Sequence, residues 1–100
     1  MHVVRAELGL TVVCCSGELG LEELARIAAI CARARATRRL VVVDMTRVTH
    51  LHYAGGRLLR KVEGLRLAGA SRYVCDLVHA GGAGGFVELF PNLEEALRAA

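Results

Sequence analysis

Aromatic residues make up only 4% of this 100-residue sequence, which has two tyrosines, two phenylalanines and no tryptophan. Proline occurs once, at Pro91, so no proline-rich linker divides the chain. Lysine also occurs once; the other twelve basic residues are arginines, and the formal net charge is only +3. No apolar run approaches the roughly 20 residues of a membrane-spanning helix. No charged, apolar and cleavage-site succession of a secretory leader opens the chain, so a cytoplasmic location without membrane insertion is expected. The four cysteines, Cys14, Cys15, Cys31 and Cys75, follow neither a zinc nor a disulfide spacing and read as reduced, mostly buried thiols. A length of 100 residues excludes an enzyme with separate substrate and cofactor lobes.

What is abundant is apolar: 54% of the residues are hydrophobic and 23% charged, which excludes disorder. One two- or three-layer core fits this length, with some apolar surface left over for a partner. Residues 3–8 alternate as a strand, Gly9 permits a turn, and residues 10–15 form a second strand ended by Ser16 and Gly17, giving an antiparallel hairpin. A helix is expected over 21–36, with Leu21, Leu24, Ile27, Ala28, Cys31 and Ala34 inward, acidic residues in its first turn and arginines in its last. Arg33, Arg35, Arg38 and Arg39 then read as the end of that helix; with no aromatic residue or lysine interleaved, they do not suggest nucleic acid.

Residues 40–43 are wholly apolar, as in a strand covered on both faces, and Asp44 closes them. A loop over 45–54 leads to a second helix over 55–68, with Leu58, Leu59, Val62 and Leu65 inward, Arg66 outward and Gly69 as its cap. Residues 73–78 read as a fourth strand, 80–85 as a flexible glycine-rich loop, and 86–90 as a fifth strand stopped by Pro91. Asn92, with Glu95 three residues on, caps a closing helix over 93–99. The expected architecture is a single α/β domain over 1–100, a mixed and mostly parallel sheet with helices packed on it in the order ββαβαββα.

No catalytic constellation is evident, so the chain does not read as an enzyme, and no cofactor is expected. Gly81, Gly82, Gly84 and Gly85 lack the third glycine of a dinucleotide fingerprint and lead into a strand, where no helix N-terminus receives a phosphate. His50 and His52 alternate on an extended segment but have no third metal ligand at a recognisable spacing, so no metal is expected. His52, just before a helix, is expected to offer a ring that both donates and accepts hydrogen bonds. Asp44 at a strand end is similar to the phospho-accepting aspartate of a receiver domain, but Cys14, Cys15 and Ser16 stand where that site needs acidic residues.

Three segments together resemble the STAS domain, the family of bacterial anti-sigma-factor antagonists. Ser16-Gly17-Glu18-Leu19 resembles its S-G-E-L-D signature, with Gly20 in place of the aspartate. Residues 40–48, L-V-V-V-D-M-T-R-V, resemble L-V-V-D-L-S-x-V, and residues 90–97, F-P-N-L-E-E-A-L, resemble the closing F-P-S-L-E-E-A-L. In that family a partner kinase phosphorylates the second serine of a D-S-S-G-L switch, and the added charge of about −1.5 to −2 abolishes partner binding. Aligned on this motif, residues 52–56 read H-Y-A-G-G: His52 takes the aspartate position and Ala54 the acceptor position. A methyl group accepts no phosphoryl group.

The resemblance implies a non-enzymatic interaction domain that docks a kinase or anti-sigma-type protein through Thr49, His50, His52, Tyr53, Ala54, Gly55, Gly56 and Arg57, without the serine switch. It implies neither nucleic acid nor a cofactor as ligand and leaves a homodimer open. A STAS subunit of an ABC-type lipid transporter and a small-ligand sensor are the competing readings. Tyr53 is either a partner anchor or folded over the second helix, and Arg57 and Arg60 either meet an acidic partner or are solvated. Thr49 and Tyr53 supply the nearby hydroxyls. The segment before the last strand is shorter than the family norm, so the helix usual there is expected to be reduced to the glycine-rich loop.

Overall fold

In the computed structural model, residues 1–83 and 85–99 are described, and Gly84 of the glycine-rich segment lies outside them. The hairpin forms as its alternation predicts: β1 (His2–Glu7) pairs antiparallel with β2 (Leu10–Leu19), from His2 opposite Cys15 to Glu7 opposite Leu10. α1 (Leu21–Ala36) then carries the chain to β3 (Leu40–Leu51), which runs parallel to β2 from Leu10 opposite Leu40 to Leu19 opposite Leu51. Arg39, at the exit of α1, donates to Thr11 Oγ1 at 2.7 Å and to the Glu7 and Leu10 carbonyls, tying the helix end to the hairpin. Leu24, Ile27, Cys31 and Ala34 are buried as expected, whereas Leu21 is 44% exposed.

Two strands outrun their expected ends. β2 continues past Cys15 to Leu19, and β3 continues past Asp44 to Leu51. The register shifts between Cys14 and Ser16 and again between Gly17 and Glu18, so the apolar positions Met45, Val48 and Leu51 recur every third residue. Bulges of this kind erase the two-residue period by which a strand is recognised.

The second half departs further. The helix expected over 55–68 is a single turn, α2 (Gly55–Leu59), followed by β4 (Arg66–Ala68), which pairs parallel with β3. Gly64, with φ +70°, turns the chain out of any helical path, and Arg66, Leu67 and Ala68 are all buried. Gly69 follows a strand instead of capping a helix.

The strand expected over 73–78 is a helix, α3 (Arg72–Ala80). Ser71 caps it, its side chain accepting the Val74 N–H at 3.2 Å, and Val74 and Val78 are buried one turn apart. A helix therefore does precede the last strand, β5 (Glu88–Phe90), and the order is ββαβαβαβα. Phe86 and Val87, expected in that strand, belong to the turn before it. α4 (Leu93–Arg98) closes the fold, with Asn92 Oδ1 accepting the Glu95 N–H at 2.8 Å.

The result is one five-stranded sheet in sequential order, β1 to β5, antiparallel only at the hairpin. α1, α2 and α3 share one buried cluster with Val13, Val41, Val43 and Leu67. α4 covers the opposite face through a smaller cluster of Val42, Ala68 and Ala96. Among the described residues no helix is long and apolar enough to cross a membrane.

Candidate functional site

The segment 49–57 begins on the last residues of β3. Leu51 is buried, and the His52 N–H donates to the Leu19 carbonyl at 2.9 Å, so the sheet fixes the point where the chain leaves it. A tight turn follows, closed by the Gly55 N–H on the His52 carbonyl at 2.8 Å. Within it the His52 ring accepts the Ala54 N–H on Nδ1 at 3.1 Å. Accepting on Nδ1 selects the tautomer that carries its proton on Nε2. The short polar side chain that caps such a turn is here an imidazole, and its outer face is covered by Tyr53, stacked at 4.4 Å between ring centroids.

Tyr53 stands out from the surface, 81% exposed, and is not folded away over α2. Ala54 occupies the position before α2 and offers only a methyl group. Gly55 and Gly56 lie beneath the surface. A Cβ on Gly55 would meet Leu24 Cδ1 at 2.5 Å, and one on Gly56 would meet Gly81 Cα at 2.7 Å. The first turn of α2 thus rests backbone-on-backbone against the end of α3.

That contact creates a groove of about 250 Å³ lined by Tyr53, Ala54, Arg57, Leu77, Ala80 and Gly81. His50 belongs to the same side of the molecule but to another pair: its Nδ1 lies 2.7 Å from the Tyr73 hydroxyl at the start of α3. The two histidines are therefore engaged separately, one with α3 and one within its own loop. Among the described residues no three histidine, cysteine or acidic side chains come together as a metal site. Thr49 is exposed on β3.

The α3 half of this surface went unread in the sequence, where residues 73–78 passed for a strand. The spacing of Tyr73, Leu77 and Ala80, at i, i+4 and i+7, is the signal that places them on one helical stripe. Three of the four aromatic side chains are exposed on this side: Tyr53, Tyr73 (52%) and Phe86 (58%), the last beneath the Arg60 guanidinium at 5.2 Å.

Burial pushes the Cys15 and Cys31 thiols up to about 12, and burial together with nearby Asp76 raises Cys75. What the groove offers is shape, the Tyr53 ring and one lining arginine, Arg57.

The sequence matches no protein-family model and no curated protein. The structure does match solved ones. It is similar to an anti-sigma factor antagonist from Mycobacterium paratuberculosis, with a TM-score of 0.72 and 21% identity over 98% of this chain and 91% of that one. It is also similar to the anti-sigma factor antagonist SpoIIAA in its unphosphorylated form, with a TM-score of 0.70 and 19% identity over 97% and 93% of the two chains. For the phosphorylated form of SpoIIAA from Bacillus the score is 0.63, at 18% identity. The hairpin, the three parallel crossovers and the closing helix on the far face are thus the STAS-type fold of SpoIIAA.

Proposed function

We propose that this chain is a non-enzymatic docking domain of the anti-sigma-factor-antagonist type, acting on a kinase or anti-sigma-type protein in the bacterial cytoplasm and so on transcription. The observation that carries this reading is the loop before α2. It has the place expected of a partner-binding loop in this fold, it displays Tyr53, and it has Ala54 where a phosphorylatable serine is expected. Exposed tyrosine beside arginine is the composition of a binding hot spot. Without a hydroxyl at position 54 the loop keeps one charge state, so the complex forms whether or not the partner kinase is active.

The experiment is intact mass after incubation with the partner kinase and ATP. The wild-type chain keeps its mass, and Ala54→Ser gains one phosphate. A phosphate on wild-type Thr49 or Tyr53 contradicts the proposal of a silent loop.

A further inference from the structure

The groove between α2 and α3 has a charge pattern that specifies more than a generic partner. On the α2 side the stretch from Thr49 to Val62 contains no carboxylate while Arg57, Arg60 and Lys61 are all exposed, and the one carboxylate of α3, Asp76, is exposed but does not line the groove. Among the described residues, the ion pairs of arginine involve Arg5, Arg26, Arg66 and Arg98, and none involves Arg57 or Arg60. The two arginines are one turn apart. Arg57 lines the groove, and the Arg60 guanidinium lies over Phe86, 5.2 Å from the ring centroid, a contact that positions it without using its hydrogen-bond donors. A planar guanidinium fixed in this way suits bidentate binding of a carboxylate.

Leu77, Ala80 and Ala54 give the groove apolar walls, and the contact of Gly56 with Gly81 makes its end backbone-tight. At about 250 Å³ it is below the roughly 300–1,000 Å³ of small-molecule pockets and accommodates an inserted side chain.

Resting on the docking reading above, we infer that the α2–α3 groove binds an acidic segment of the partner protein. An apolar side chain of that segment enters over Leu77 and Ala80 beside Tyr53, and flanking carboxylates lie on Arg57 and Arg60. This deepens the functional reading by fixing the sign of the partner surface: where a phosphorylatable loop would repel acid, this one attracts it.

The test is a ¹H–¹⁵N titration of the whole chain with a short synthetic peptide of glutamates around a central Leu-Phe, compared with the same peptide bearing lysines. The glutamate peptide should shift the amides of Ala54, Arg57, Leu77 and Gly81, and added salt should weaken it. Arg57→Glu combined with Arg60→Glu should weaken that peptide about tenfold or more. Both positions are exposed, so unchanged circular dichroism confirms that this variant remains folded. If the lysine peptide shifts the same amides in the wild type, the acidic assignment is overturned while docking at this groove stands. Should neither peptide shift them, or should the shifts map elsewhere, the groove itself is the wrong surface.

Discussion

Ala54 and Gly56 are two residues apart and differ in what each absence concerns, chemistry at the first and packing at the second. The role proposed for Ala54 rests on the hydroxyl it lacks, at a position whose backbone is held by the His52 ring. Gly56 acts by lacking a side chain where the backbones of α2 and α3 meet. A methyl at 56 collides with Gly81 backbone atoms that cannot rotate aside, so Gly56→Ala should cost about 1–3 kcal/mol. Gly55→Ala should cost less, because its nearest obstacle is the end of the Leu24 side chain, which can change rotamer. Urea unfolding of both variants reads this ranking, and equal midpoints would show that the α2–α3 contact is looser than described. The alanine could be singled out in the sequence because the motif it is compared with has a serine there. The sequence concealed the role of the second glycine, which depends on a helix read as a strand.

At the scale of elements, α4 depends on what it packs against. Six residues are too few for a stable isolated helix, and it is held by a small cluster and one buried cation. Arg66, expected on an exposed helical face, is a strand residue only 9% exposed, and its Nη1 donates to the carbonyls of Ala96 at 2.7 Å and Ala99 at 2.8 Å. A cation at the C-terminal carbonyls of a helix satisfies both their hydrogen bonds and their partial negative charge. Arg66→Met fills similar space without those bonds and should cost about 1.5–3 kcal/mol. Amide exchange should quicken over residues 93–99 while α1 stays protected; unchanged exchange there would mean that the small cluster alone holds α4.

α1 was legible in the sequence because its sixteen residues repeat an apolar stripe with charges suited to both ends. α3 was not, because Tyr73-Val74-Cys75 has the residue types of a strand, and only its burial one turn apart, at Val74 and Val78, marks a helix. Beyond Asp44, β3 was hidden by bulges that belong to its pairing with β2 and have no signature of their own.

For the whole molecule, the sequential sheet explains how a chain with 54% apolar residues places them. Three helices cover one face and a single short helix part of the other, and most large aliphatic side chains lie between. Of the large apolar side chains that are exposed, Val3, Val4 and Leu8 lie on the hairpin, whereas Tyr53, Tyr73 and Phe86 gather around α2 and α3, beside the loop that lacks a serine.

The central claim is that this surface docks a protein partner, and the most direct measurement is affinity capture from the native cell with two baits. The wild-type chain should retain a kinase-fold anti-sigma protein, and a bait carrying Tyr53→Ser and Arg57→Glu should lose it. Capture of transporter subunits alone, or equal retention of the same protein by both baits, would contradict the account.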